Sequence, residues 1–386
     1  MTPNVTLIVH ISLWPLPVRA FILRLFSFEM LNYPLIARKS NRHEEFVMPE
    51  KYVFTTSEPM PSMAELNRML APYQKPDVRH SLMQLANTII PYILLWVLMA
   101  YSLQVSYLLT LGLAVVSAGF LIRIFIFFHD CGHNSFLPSK TWNKRLGFWL
   151  GVLTFTPSEH WWHSHAMHHA TSGNLDKRGH GDVATLTLEE YLQSRWEKRL
   201  GYRFFRHPLV MFGLGPIFMF IIMHRLPVPH YGRRQTLTVL WTNLAILGLG
   251  VAISLLIGWR AYLLIQIPVI WAAGAFGIWL FYVQHQFEET YWERDEEWNY
   301  VASALLGASF YRLPWLLQWF SGNIGYHHIH HLSPRIPNYQ LDKAHNNSPT
   351  IQKWARKIDL FEGLRTLRLR VWNETVRRMV SRLARD

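Results

Sequence analysis

Four runs of apolar residues set the pattern of the chain: Leu82–Tyr101, Val105–Phe128, Leu237–Ile257 and Ala261–Val283. Each reaches the ~20 residues an α-helix needs to cross the hydrocarbon core of a bilayer. The first two are joined by Ser102-Leu103-Gln104 and the last two by Gly258-Trp259-Arg260, links short enough only for tight turns. The pattern predicts an all-α integral membrane protein with four transmembrane helices in two hairpins. Three other apolar stretches read differently. Gly147–Phe155 is too short to span, Leu209–Met223 is interrupted by Gly213, Gly215 and Pro216, and Val301–Phe320 carries Arg312, Pro314 and Gln318. All three are expected to lie along the membrane interface.

The polar segments give the orientation. Lys and Arg crowd residues 38–80, 140–145, 177–206, 225–234 and 352–386, whereas the two short links hold only Arg260 between them. Positive charge is retained on the cytosolic side, so both termini and the long loops are expected in the cytosol. Residues 1–47 differ from the rest: Val5–Phe28 is apolar but broken by Pro15, Pro17, Arg19 and Arg24, and Met48 begins a more ordinary start. The chain is therefore expected to divide into a dispensable extension at 1–47, a membrane-embedded domain at 48–350, and a basic amphipathic helix at 351–386. The last of these carries Arg365, Arg368, Arg377, Arg378, Arg382 and Arg385 on a solvated or lipid-facing surface.

Composition agrees. Half of the 386 residues are hydrophobic and only 16% are charged, against about a quarter in soluble domains. A net charge of +13 would suit nucleic-acid binding, but the basic residues flank apolar runs. Anionic lipid headgroups and acidic soluble partners are the expected counter-charges instead. Cys131 is the single cysteine, which excludes an intramolecular disulfide.

The 20 histidines are the anomaly, because they cluster. His129 and His133 stand at the end of the second span, His165, His168 and His169 follow the short apolar stretch, and His327, His330 and His331 follow the last one. Residues at i, i+3 and i+4 lie on one face of a helix, so each cluster turns its imidazoles to one side. Imidazoles without thiolates and with few carboxylates suit Fe, Zn, Cu or Ni, and eight of them suit two ions rather than one. His285, at the end of the last span, is placed to be a ninth ligand. His160, His163 and His328 are neighbours with a supporting or surface role. Asp130, Glu159, Asn174, Asp176 and Asp182 are candidates to orient ligand imidazoles, and Arg123 to snorkel or to pair with a carboxylate of the site. A common site requires an even number of spans between the first and third clusters, which again keeps Leu209–Met223 out of the count.

At these residues the chain resembles the membrane fatty acid desaturase family, and bacterial acyl-lipid desaturases in particular. The resemblance runs from about Met48 to Ala344. It rests on His129–Phe136, the stretch from His165 through Asn174-Leu175-Asp176-Lys177-Arg178-Gly179 to Asp182, Tyr282–Glu288, and Gly322-Asn323-Ile324-Gly325-Tyr326 through Ser333-Pro334-Arg335-Ile336-Pro337-Asn338-Tyr339. It implies four transmembrane helices under a cytosolic helical cap holding a di-iron site. The implied ligands are His129, His133, His165, His168, His169, His327, His330 and His331, with His285 matching the family's extra histidine. Animal acyl-CoA desaturases have an asparagine four residues before that histidine, where this chain has Phe281.

Removing hydrogen from an unactivated alkyl chain needs a redox metal and O₂, and zinc is redox-inert. The expected function is O₂-dependent insertion of a cis double bond into lipid-linked acyl chains, with two Fe(II) and two electrons from an outside carrier. A basic surface suits an acidic donor such as ferredoxin or cytochrome b5, and no fused His-Pro-Gly-Gly cytochrome motif is present. A hydroxylase or ketolase acting on lipid, alkane or carotenoid is the alternative on the same histidine pattern. A zinc protease would show His-Glu-x-x-His, which is absent, and a metal transporter would place its ligands inside the spans.

Overall fold

The computed structural model describes residues 59–179, 181–228 and 231–381; the extension at 1–47 lies outside them. The described chain is mostly helical. A short helix α1 (Met63–Leu70) starts at a capping box in which Ser62 and Glu65 bond each other's backbone N–H. The long helices follow: α2 (Val78–Ser102), α3 (Tyr107–Gly132), then, after an intervening cap region, α8 (Arg233–Ile257) and α9 (Trp259–His285). These four are long and apolar enough to cross a membrane. They are buried to very different extents. Half of the most apolar stretch of α3 is buried, but only 11% of that of α8. Leu240, Trp241, Leu244, Leu247, Val251 and Leu255 on α8 are exposed, as expected of a lipid-facing surface.

The central helix is α3, which packs against both α2 and α9. Gly258 links α8 to α9 at φ +87°, a left-handed conformation that costs a glycine little.

Between α3 and α8 lie α4 (Lys140–Leu153), α5 (Ser158–Thr171), α6 (Leu188–Gln193) and α7 (Trp196–Phe205). The short apolar stretch at 147–155 thus belongs to a 14-residue helix that packs on α3. Residues Leu209–Arg225 are helical with wide π turns, are bent by 60° from α7, and pack along α9. The bend falls at His207-Pro208, where proline removes a backbone donor.

After α9 the chain forms small elements: α10 (Tyr300–Leu306), strand β1 (Phe310–Tyr311), α11 (Trp315–Phe320), α12 (His327–Leu332), α13 (Leu341–Asn346) and α14 (Pro349–Trp354). The 301–320 stretch is broken by Gly307 and Pro314 rather than forming one interfacial helix.

The C-terminal expectation requires correction. Residues 351–381 are not one basic amphipathic helix. Strand β2 (Lys357–Ile358) pairs in parallel with β1, α15 covers only Leu360–Thr366, and β3 (Val371–Asn373) pairs antiparallel with β4 (Arg378–Val380). The physical reason is that its apolar residues are anchored to different partners. Trp372 and Val371 are fully buried, Trp372 N–H donates to Leu186 O at 3.0 Å, and Met379 N–H to Glu288 O at 2.8 Å. Arg377 and Arg378 pair with Glu293 and Glu288 of the protein body.

Candidate metal centre

The first histidine cluster ends α3, the second occupies the later turns of α5, the third is α12, and His285 ends α9. Two glycines let α3, α4 and α5 approach. A Cβ at Gly132 would meet the Trp162 ring at 2.3 Å, and one at Gly147 would meet it at 2.4 Å. The Trp162 indole donates to Phe128 O at 3.1 Å, which holds α5 in register beside the end of α3. Trp161 stacks on His165, with ring centroids 4.5 Å apart.

The structure brings all nine singled-out imidazoles together, in two groups. One contains His129, His133, His165, His169 and His330; the other contains His168, His285, His327 and His331. Within each group the candidate ligand atoms lie within 4.8 Å of one another. The groups abut, with His169 of the first stacked on His331 of the second at 4.3 Å between ring centroids.

Helix geometry explains the division. Successive residues turn by about 100°, so i and i+4 differ by about 40° whereas i+3 and i+4 diverge by about 100°. The i, i+4 pairs accordingly stay together: His129 with His133, His165 with His169, and His327 with His331. The i+3 members, His168 and His330, cross to the other group.

Hydrogen bonds fix three of the rings. His129 Nδ1–H donates to Asp130 Oδ1 at 3.1 Å, His168 Nδ1–H to Asp182 Oδ1 at 2.5 Å, and His285 Nδ1–H to Gly307 O at 2.9 Å. A carboxylate or carbonyl oxygen can only accept, so each ring, in its neutral form, keeps an Nε2 lone pair facing the group. The Nε2 atoms of His168 and His285 then face each other at 3.2 Å, two acceptors with no proton between them. That contact is repulsive unless a cation lies beside both. Other Nε2 pairs lie at 2.9–3.1 Å: His129 with His330, His330 with His169, His169 with His165, His285 with His327, and His331 with His327. Ligand nitrogens about 2.1 Å from one ion and at right angles would be about 3.0 Å apart. His133 Nε2 is buried without a hydrogen-bond partner among the described residues, which leaves it able to ligate a metal. Burial, reinforced by neighbouring imidazoles, holds His133, His165, His169, His327, His330 and His331 well below the ordinary imidazole pKa. They are therefore neutral at pH 7, the form that binds metal.

The remaining candidates sort themselves by position. Asp130 does more than face His129: its Oδ2 accepts from Asn338 N–H at 2.8 Å and Asn338 Nδ2–H at 2.9 Å. Asn338 lies in the long surround of the third cluster, so one carboxylate ties the first cluster to the third. Glu159 pairs with Lys144 and Arg234, Asn174 with Asp295, and Asp176 with Arg294; none touches a clustered imidazole. His160 and His163 pack on Tyr231, and His328 bonds His345 at 2.9 Å.

Among the described residues Arg123 pairs with no carboxylate. It donates to Thr88 Oγ1 at 3.2 Å and to Trp319 O, with its guanidinium 4.2 Å from the Trp319 ring centroid. Phe281 packs on both His168 and His285, at 5.2 Å between centroids in each case. The Gly307 carbonyl was invisible in the sequence, because a backbone acceptor carries no residue signature.

The sequence model of the fatty acid desaturase family matches residues 78–356. A fatty acid desaturase of Bacillus subtilis is 49% identical over 317 residues, covering 82% of this chain and 90% of that protein. More distant similarity extends to an sn-1 acyl-lipid omega-3 desaturase (ferredoxin) of Synechocystis, 28% identical and covering 57% of this chain and 62% of that protein. An endoplasmic-reticulum omega-3 fatty acid desaturase of Nicotiana tabacum is 30% identical, covering 61% and 63%.

Proposed function

The chain belongs to the fatty acid desaturase family, and on that premise we propose that it introduces a cis double bond into lipid-linked acyl chains at a histidine-held di-iron centre, using O₂. The observation that carries the metal assignment is the 3.2 Å approach of His168 Nε2 to His285 Nε2, each ring held at Nδ1 by an acceptor oxygen, beside seven further converging imidazoles. The nine ligands are His129, His133, His165, His169 and His330 for one ion, and His168, His285, His327 and His331 for the other. Bound there, two irons would supply the O₂ activation that an unactivated C–H bond demands.

The chain's own residues hold and orient. Asp130, Asp182 and the Gly307 carbonyl keep His129, His168 and His285 in the tautomer that offers Nε2. Phe281 covers the His168–His285 edge with an apolar ring, which helps to keep water from the second group. The four long helices support a multi-pass arrangement of two hairpins, with the histidine-bearing cap and both termini on the cytosolic side, the side favoured by the distribution of Lys and Arg. The acyl chain enters from the bilayer between the spans. Electrons come from a separate acidic carrier; the ferredoxin named for the Synechocystis relative favours a ferredoxin, and a cytochrome b5-type donor meets the same basic surface.

The test is the fatty-acid profile, by mass spectrometry, of cells expressing this protein beside cells expressing His168→Ala. New unsaturated chains in the wild type only are expected, and their double-bond position fixes the regiospecificity. Oxygenated chains instead would move the chain to a hydroxylase or ketolase chemistry.

A further inference from the structure

Away from the histidines, a cleft of about 420 Å³ opens among α4, α5 and α8. One end is charged: Lys144 from α4, Glu159 from the first turn of α5, and Arg233 and Arg234 from the first turn of α8. The rest of the wall is Leu237, Thr238 and Trp241, one and two turns further along α8. Arg233, Leu237 and Trp241 recur at i, i+4 and i+8, so a cation, an aliphatic side chain and an indole line one stripe of that helix.

Lys144 Nζ and Arg234 Nη2 approach the same Glu159 oxygen, at 3.4 and 2.5 Å. Three cations against one carboxylate leave an excess of two positive charges in the cleft. Its place in the fold says what such a charge meets. Because α8 is one of the four candidate membrane spans and begins at Arg233, the cations stand where that helix leaves the bilayer. Trp241 and Leu237 are exposed below them; an indole near the headgroup level is a usual interfacial anchor. The cleft also adjoins the metal centre, since α5 packs on α8 and Glu159 precedes His165 by six residues, about 9 Å along the helix.

We propose that this cleft seats the phosphate of a membrane glycerophospholipid, with one acyl chain along the Leu237–Trp241 wall, and that it makes phospholipids preferred over uncharged glycolipids as substrates. The proposal rests on the acyl-lipid desaturase reading above and names the lipid class. A soluble anion would use the cations but not the apolar stripe continuous with them. Glu159 holds Lys144 and Arg234 at a fixed spacing and competes with the phosphate for them.

The experiment uses the full chain with its metal and electron donor in mixed vesicles. Phosphatidylglycerol and monogalactosyldiacylglycerol carry identical acyl chains, distinguished by isotope label, and unsaturated product is measured for each lipid. Competition within one vesicle cancels differences in folding, electron supply and bulk surface charge. The wild type is expected to favour phosphatidylglycerol. Arg233→Gln removes an exposed cation that makes no ion pair among the described residues, so it leaves the fold undisturbed; combined with Lys144→Gln it should lower the preference about thirtyfold, at roughly 1 kcal/mol for each of the two cations near an anionic lipid. Glu159→Gln should shift the preference the other way, several-fold towards phosphatidylglycerol.

Equal use of both lipids by the wild type, or an unchanged preference in the Arg233→Gln/Lys144→Gln variant, overturns the proposal. So does equal use of both lipids with inhibition by millimolar inorganic phosphate, which would give the cleft to a soluble anion. Product from neither lipid would instead sink the desaturase reading itself.

Discussion

Asp130→Asn isolates one link between two histidine clusters. The wild-type carboxylate accepts three N–H groups: His129 Nδ1–H on one oxygen, and Asn338 N–H and Nδ2–H on the other. An asparagine has the same shape but only one acceptor. If its oxygen faces Asn338, its NH₂ meets His129 Nδ1, and the imidazole must move its proton to Nε2, where it no longer binds metal. If its oxygen faces His129, its NH₂ opposes two donors in a site where Asp130 is 2% exposed. The first arrangement takes the Nε2 lone pair of His129 from the metal, and the second leaves buried donors unmatched at about 1–3 kcal/mol; both agree with the 10–100-fold loss of metal affinity typical when a partner of a ligating histidine is removed. The expected result is that one ion weakens and the other does not, because only the group containing His129 is touched. Metal titration followed by elemental analysis should give close to one tight and one weakened iron per chain, with activity lost at limiting iron and partly restored by excess. Two irons retained at wild-type affinity, in a variant with wild-type thermal stability, would refute the assignment of Asp130 as the tether of His129.

Asp182→Asn is expected to produce the complementary phenotype, weakening the ion held by His168, His285, His327 and His331, as read by the same titration. Deleting residues from Arg370 onward removes the strands that bond Leu186 and Glu288; iron occupancy and thermal stability in detergent should both fall, whereas a dispensable tail would leave both unchanged. In the metal-free protein, six buried histidines have their pKa held below the usual ~6.5. The unfolded chain then binds more protons than the folded one once the pH drops below about 6.5, so stability is lost on acidification, at up to about 1.4 kcal/mol per pH unit for each histidine. A melting temperature that stays flat from pH 7 to pH 5 would contradict that linkage.

The long helices and the histidine candidates were legible because both signals are periodic and local. The four apolar runs correspond to α2, α3, α8 and α9 within a few residues at each end. What escaped depends on distant partners. The division of His165, His168 and His169 between two groups is set by where α12 and the end of α9 lie, although the 100° turn per residue could have raised it. Asp130 could be suspected beside His129, but not that it would grip Asn338, 208 residues later. Arg123 was expected to snorkel or to pair with a carboxylate; a carbonyl at the end of α11 and the face of Trp319 receive it instead. The C-terminal segment failed as a helix because Trp372, Val371 and Met379 are claimed by the body of the protein, which outweighs local periodicity.

Adjacent residues in the chain serve different groups: His168 one and His169 the other, His330 one and His331 the other. Inserting or deleting a single residue within α5 or α12 would therefore rotate imidazoles out of both pockets together. Neither half of the centre can be eroded by such an event while its neighbour survives. Variation in length among relatives should accordingly fall outside the two helices, and inside them only replacement of one residue by another should be tolerated.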